Sequence, residues 1–422
     1  MVKSNKNSTN KIRKIYLDYA SSALSASANP GAIHQLGVKE KIKLEEARTI
    51  VAKILNTRDN EIIFTSGATE SNNLAILGLV QNFKQYFNLP HIITTNIEHT
   101  SVLEVFRHLG KTKQAEVTYV EVERNGIVDI KKIKKALKLN TVLVSVMYAN
   151  NEIGAIQPVR EIAKEIRHWK KNKKGKVGFL ETWERDGAST RNFSEGKYPY
   201  SKNPALPVFH TDATQAVNYL PINVPRLGVN LMSFNSAKIY GPKGAGVLYV
   251  KRHTPIGKIM FGGDQEFGLR PGTPNVALAL GLAQALQITE KIKEKEVKRL
   301  TKLRDYFFKK LQEMSKTVFD TQLTINGDLK NRLPNNINIA IPNIPSDLLV
   351  IELSARGIMV SAKSACQSGD GQASYVIKAI RPDAKEENGS LRFSLGRQTT
   401  KADINYTIKA LSEILTKLKK WY

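Results

Sequence analysis

Apolar residues recur along the first two thirds of the chain in two patterns that take turns. Short apolar runs bounded by polar or glycine-bearing turns, at 15–18, 61–65, 91–95, 117–122, 141–148 and 208–210, read as strands. Between them lie stretches with apolar residues at three- and four-residue spacing. In 33–55 these are Leu44, Ala47, Ile50, Val51, Ile54 and Leu55, and similar periodicity marks helices at 74–83, 130–137 and 159–169. The run TVLVSVMY at 141–148 is apolar almost throughout, as a strand covered on both faces must be. Residues 231–250, LMSFNSAKIYGPKGAGVLYV, read as a strand, a lysine, a glycine-rich turn and a second strand.

Strands alternating with helices imply an α/β fold with a mostly parallel sheet, whose ligands bind beyond the carboxyl ends of the strands. Residues 258–273 form a glycine-rich loop without periodicity, the mark of a functional or interfacial loop. Helices at 276–288 and 290–314 lead out of this domain. Beyond them the pattern shortens to strands at 336–340 and 357–360 and helices at 346–355 and 402–419, a smaller α+β domain. The boundaries predicted are an amino-terminal segment 1–28, a large domain 29–289 and a small domain 290–422. Residues 170–205 break the rhythm and read as a surface insertion.

Composition narrows the picture. With 422 residues, 41% of them hydrophobic, the chain can build a large core and more than one domain. The formal net charge of +26 is spread over helical stretches such as 38–56, 131–140 and 290–319, the wet faces of amphipathic helices. Direct nucleic-acid binding is therefore not expected, and the basic surface suits an acidic protein partner. A single cysteine, Cys366, excludes an intrachain disulfide framework and a cysteine-cluster metal site, so it is either an inert buried thiol or a working one. No apolar run reaches membrane-spanning length, and residues 1–14 lack the apolar segment of a secretory signal; the cytoplasm is the expected compartment.

The strand ends carry the candidate chemistry. Lys238 stands at a rigid junction before Tyr240-Gly241-Pro242-Lys243-Gly244, either a covalent anchor or one more solvated lysine. The turn Gly67-Ala68-Thr69, between a strand and a helix start, is either an ordinary cap or an anion cradle of backbone N–H groups, a hydroxyl and a helix dipole. Asp212 is either a cap or a buried counterion. With His99, Asn150 and Gln215, these groups make the set that holds pyridoxal 5'-phosphate. In that set Lys238 would anchor it, Asp212 would keep the ring nitrogen protonated, the 67–69 turn would take the phosphate, His99 would stack on the ring, and Asn150 and Gln215 would bond to the ring hydroxyl.

At this point the sequence resembles the cysteine desulfurases, fold-type I pyridoxal-phosphate enzymes. The matching stretches are Tyr16-Leu17-Asp18, Asn29-Pro30, IIFTSGATESNN at 62–73, Glu98-His99, NNEIG at 150–154, HTDA at 210–213, KIYGPKG at 238–244, GLRPGT at 268–273, Ser364-Ala365-Cys366 and LRFSLGRQTT at 391–400. The resemblance implies a seven-stranded, mostly parallel sheet in the large domain, with the amino-terminal segment packed on the small one. It implies that L-cysteine, held by Arg392 and Asn150, gives up its sulfur to Cys366 as a persulfide, with alanine as the other product and His99 moving protons. Ala68, Thr69 and Asn235 would contact the cofactor. The enzyme would be a homodimer in which Thr273 reaches the phosphate of the partner subunit's cofactor. The spacing from Cys366 to Arg392 is similar to that of the subgroup with a long cysteine loop, which hands sulfur to iron–sulfur scaffold or tRNA-thiolation proteins. Any [2Fe–2S] cluster would sit on that partner alone.

Four features depart from the family pattern. Ala237 stands where His is usual, Asn235 where Ser is usual and Phe267 where Arg is usual, and the stretch between Asp18 and Asn29 is shorter than in the family. The loss of a histidine near the phosphate implies weaker cofactor binding. The other readings open at this stage are a related lyase acting on selenocysteine or another amino acid, and a noncatalytic sulfur-transfer scaffold.

Overall fold

The computed structural model describes residues 28–84, 86–173, 206–318, 323–362, 374–382 and 389–418. Asp18, residues 174–205 of the insertion and Cys366 lie outside the described residues; residues 170–173, expected in the insertion, continue the helix that starts at Val159.

The chain opens with α1 (Gln35–Leu55), β1 (Ile62–Thr65) and α2 (Ala68–Phe83). It continues through β2 (His91–Thr95), α3 (Thr100–Lys111), β3 (Glu116–Val120), α4 (Ile130–Ala136), β4 (Thr141–Ser145) and α5 (Val159–Lys173). After the insertion come β5 (Val208–Asp212), α6 (Val224–Leu227), β6 (Leu231–Asn235) and β7 (Gly246–Val250). These strands form one seven-stranded sheet in the order β1-β7-β6-β5-β4-β2-β3. From β3 through β2, β4 and β5 to β6 the pairing is parallel, and β7 runs antiparallel to both its neighbours.

Adjacent residues of each strand face opposite sides of the sheet, and both sides are covered, which is why β1, β2, β4, β5 and β7 are buried at every position. Ile63, Ile92, Leu143 and Leu248 pack on one side under α2 and α3 with Leu79, Phe83 and Phe106. Phe64, Ile93, Val144, Phe209 and Val247 pack on the other with Leu55 of α1, Ile133 of α4, Ile162 of α5 and Leu282. All the strand carboxyl ends that precede α2, α3, residue 146 and residue 213 open toward the same edge of the sheet.

Leu282 belongs to α7 (Val276–Val318), a single helix of 43 residues and about 65 Å in length. The sequence pattern divides this stretch at Thr289, but the helix runs on through that position, and its one glycine, Gly281, lies about two turns earlier. The change in periodicity marks a change of neighbours instead. Its first half lies against the large sheet, and Leu300, Phe307, Leu311 and Met314 belong to a second core. That core is closed by the three-stranded antiparallel sheet β10-β9-β8, built of β8 (Thr324–Ile325), β9 (Asn336–Ile341) and β10 (Gly389–Ser394). It also includes α8 (Ser346–Ser354) and α10 (Lys401–Leu418), and the short α9 (Tyr375–Ile380) packs on the large core instead. The strand expected at 357–360 is absent. Gly357, at φ +75°, turns the chain there, and pairing begins only at Ser361, which exchanges backbone hydrogen bonds with Arg392 at 2.7 and 3.2 Å.

Candidate active site

A cavity of about 480 Å³ lies at the carboxyl edge of the large sheet, within the size range of small-molecule and cofactor sites. Ala68, Thr69, His99, Asp212, Gln215, Asn235, Ala237, Lys238 and Arg392 all line it. Residues more than 300 positions apart in sequence thus meet through the topology of two sheets.

The expected anion cradle lies at the start of α2, on the cavity wall. Gly67 immediately precedes the helix in extended conformation, and the first-turn N–H groups of this 16-residue helix face the cavity beside Ala68 and Thr69. Gly246 of β7 makes the close approach possible. A side chain there would come within 2.6 Å of the Gly67 backbone. Glu70 is turned away from this cradle: it accepts from the Ser66 N–H and hydroxyl and from Arg270 Nε at 3.0 Å. Burial, the largest influence, raises its pKa, but these donors prevail and hold it below the usual value.

Asp212 also lines the cavity. It is buried, its Oδ2 accepts from Asn72 Nδ2 at 2.8 Å, and its Oδ1 accepts from the Thr214 N–H at 2.9 Å. The carboxylate caps a turn and lines the cavity. His210, two residues back on β5, lies between Ser145 Oγ and Ser233 Oγ, and burial lowers its pKa to about 4, so it adds no positive charge beneath the site.

His99 caps α3, and its Nδ1 accepts the N–H of Ser101 at 3.2 Å. A neutral imidazole so placed carries its proton on Nε2. Lys238 follows β6 on a short 3-10 turn; its own N–H donates to Asn235 Oδ1 at 3.1 Å, and its carbonyl accepts from Asn218 Nδ2. Tyr240, at φ +64°, ends that turn. Its ring lies 4.0 Å from the Arg397 guanidinium, and its hydroxyl accepts from the Arg397 N–H, which joins the lysine turn to the second sheet's domain.

One expected contact moves by a residue. Asn150 is fully buried behind the cavity, where its amide donates to the Ile97 carbonyl and its Oδ1 accepts the N–H groups of Glu152 and Ile153. All its polarity is spent on folding the turn after β4. The amide that reaches the cavity is that of Asn151, whose Oδ1 is buried without a protein partner. Arg392 reaches the Asn151 carbonyl at 3.4 Å and keeps a buried, unpaired Nε. Burial depresses the Arg392 pKa, and Glu152 opposes this. Such orphaned polar atoms beside a cavity are what an amino-acid substrate would satisfy, its carboxylate accepting from Arg392 Nε and an N–H group donating to Asn151 Oδ1.

Thr273 is exposed on the loop before α7 and does not line this chain's own cavity. Sequence reasoning missed Asn72, Asn218 and Asn151. The signal for Asn72 is its place one helical turn after Ala68 and Thr69, on a buried face that has no other reason to carry an amide.

Comparison with known proteins agrees with this geometry. The family model described as "Aminotransferase class-V" matches residues 4–172 and 201–407. The curated protein "Cysteine desulfurase IscS" of Dictyoglomus turgidum is 38% identical over 421 residues, covering 96% of each chain. Its namesake from Ehrlichia chaffeensis is 35% identical, covering 92% of this chain and 84% of that one. Among solved structures, a "NifS-like protein" superposes with a TM-score of 0.77 at 32% identity, covering 92% of both chains. The chain is a member of the class-V aminotransferase family, and within it a cysteine desulfurase.

The desulfurase family depends on pyridoxal phosphate, and the cavity fits that group. A helix start, a carboxylate and an amine all line it. When bound, the cofactor supplies an electron sink that labilises bonds at the substrate's Cα. Among the described residues, no helix of the desulfurase is long and apolar enough to cross a membrane.

Proposed function

We propose that Lys238 anchors the cofactor, that Asp212 holds its ring nitrogen protonated and that the 67–69 turn binds its phosphate. Arg392 receives the substrate's carboxylate, Asn151 accepts from a substrate N–H group, and His99 moves protons above the ring through Nε2. Cys366, as thiolate, attacks the sulfur of L-cysteine. An S–S bond forms on Cys366 as the substrate's C–S bond breaks, and the carbon takes a proton to leave as alanine. The observation that carries this reading is the convergence of Lys238, Asp212, His99, Thr69 and Arg392 on one cavity.

Cys366 is the residue that joins this cavity to a sulfur acceptor. In sequence it follows Ala362 by four residues, a span of at most about 14 Å when extended. Ser361, just before, is paired directly with Arg392. The acceptor we propose is a protein with an acidic docking face, an iron–sulfur scaffold or a tRNA-thiolation carrier, matched to a chain of net charge +26.

We also propose a homodimer in which Thr273 reaches the partner's cofactor. Ile33 and Phe261 are 97% and 84% exposed, and Val38, Ile42 and Met260 are exposed with them. An apolar set of this kind near the Thr273 loop and α1 suits an interface.

The test is addition of L-cysteine with measurement of alanine and sulfide for the wild type and Cys366→Ala. Alanine formation that depends on Cys366 supports the persulfide route. Equal turnover by the variant rejects it.

A further inference from the structure

Two residues immediately beyond the Cys366 segment fasten α9 to the two loops that border the cavity. Ser374, the N-cap of α9, accepts the N–H of Val376 and donates its hydroxyl to Glu152 Oε2 at 2.5 Å, on the turn that carries Asn151. Tyr375 donates its hydroxyl to the backbone carbonyl of Glu98 at 2.5 Å, on the loop that carries His99. The second contact is the more telling. Glu98 is fully buried, its side chain accepts from Thr95 Oγ1 at 2.6 Å and from the N–H of Met147 at 2.9 and 3.0 Å, and Met147 itself lines the cavity.

The peptide joining Glu98 to His99 is a rigid plane. Holding the Glu98 carbonyl oxygen therefore fixes the direction of the His99 N–H and Cα. From there the His99 ring is held through Nδ1, which lies 3.2 Å from the Ser101 nitrogen and 2.8 Å from Ser101 Oγ. Without Tyr375 the buried carbonyl would lack this donor, and the plane would be free to rotate toward another. A rotation of the plane swings the imidazole by its whole length.

We propose that Tyr375 is a positioning residue for His99: its hydroxyl fixes the Glu98–His99 peptide and so aims the imidazole into the cavity. The proposal rests on the reading of His99 as a proton-moving group. It gives the segment after Cys366 a second purpose, because the same helix start that ends that segment also seats the histidine.

A double-mutant cycle on the holoenzyme tests it, with alanine formation from L-cysteine as the readout. Tyr375→Phe keeps the ring and removes the hydrogen bond. It is expected to lower kcat about three- to tenfold with KM for L-cysteine unchanged, and with the melting temperature and cofactor absorption band retained. In a His99→Gln background the same substitution is expected to change kcat by less than about twofold, since the residue it aims is gone. Multiplicative effects in the double variant would overturn the proposal by showing that Tyr375 acts elsewhere, as would an unaffected Tyr375→Phe enzyme. A His99→Gln enzyme of wild-type rate would overturn the reading of His99 and this proposal with it. If Tyr375→Phe loses the absorption band, Tyr375→His, which retains a donor near the carbonyl, must restore both band and rate; failure to do so also overturns the proposal.

Discussion

Asn72 Nδ2 stands 2.8 Å from Asp212 Oδ2, so the helix whose amino terminus lines the cavity also holds the Asp212 carboxylate that lines it. The same amide nitrogen lies 2.8 Å from Ser101 Oγ, on the helix capped by His99. One buried side chain thus sets the spacing among three groups proposed to touch the cofactor. Hydrogen bonds to charged groups contribute about 1.5–3 kcal/mol. Asn72→Ala is expected to weaken cofactor affinity about ten- to hundredfold, measured by titrating apoenzyme with pyridoxal phosphate. Unchanged affinity would show that the Asp212 carboxylate holds its place without help.

The two consecutive asparagines separate binding from folding. Asn151→Ala is expected to raise KM for L-cysteine about tenfold with little change in melting temperature, because its Oδ1 has no protein partner to lose. Asn150→Ala removes an amide that ties Ile97, Glu152 and Ile153 together, and is expected to lower the melting temperature by several degrees. The reverse pattern would return Asn150 to the cavity.

Much of this was readable from residue order. Strand runs followed by Gly67-Ala68-Thr69, His99, Asp212 and Lys238 place those groups at one sheet edge because parallel strands must all end on the same side. The choice between Asn150 and Asn151 was not readable, since it depends on which amide the turn needs for its own N–H groups. The unity of α7 was hidden by a change of neighbours around Thr289, which is buried and accepts from Arg397 across the two sheets' domains. Asn72 and Tyr375 act through partners 140 and 277 positions away, and no local pattern reports such contacts.

Glu98 makes stability depend on pH in a direction opposite to an ordinary paired carboxylate. Burial, the largest cause, pushes its pKa from 4.5 up to about 8, the Thr95 and Met147 donors oppose the shift, and the nearby Asp212 charge adds to it. The folded chain therefore keeps a proton that the unfolded chain releases. The stabilisation is full below pH 4.5 and is lost as pH rises through about 8. Glu98→Gln cannot titrate, so the wild type is expected to lose melting temperature relative to this variant between about pH 6 and pH 8.5. Parallel curves for the two proteins would refute the burial argument.

Ala237 lines the cavity directly before Lys238, where the family pattern has histidine. A histidine there would add a donor toward the bound phosphate. Ala237→His is expected to tighten pyridoxal-phosphate binding by about tenfold, read as slower loss of the cofactor absorption band on dialysis. An unaltered rate of loss would mean that Asn235 and the α2 start already satisfy the phosphate.

Glu266 and Arg48 secure the loop that carries Thr273. Arg48 bonds both carboxylate oxygens of Glu266 at 2.8 Å, the Phe64 N–H adds a third bond at 2.8 Å, and the guanidinium lies over the rings of Phe64 and Phe267 at 5.0 and 5.1 Å. Glu266 and Phe267 are both held at positive φ, +48° and +59°, a conformation that costs energy for residues other than glycine. The ion pair is what keeps that turn in place, and Phe267, in the position where the family has arginine, covers the charge with an aromatic face. Removing one partner of a buried pair costs about 3–5 kcal/mol because the other charge is stranded. Glu266→Gln is therefore expected to lower the melting temperature by several degrees and to expose the 258–273 loop to limited proteolysis, while Phe267→Arg, which sets a second guanidinium beside Arg48, is expected to destabilise in the same direction. A Glu266→Gln protein as stable as the wild type, with its loop still protected, would show that the strained turn is held by its backbone bonds alone.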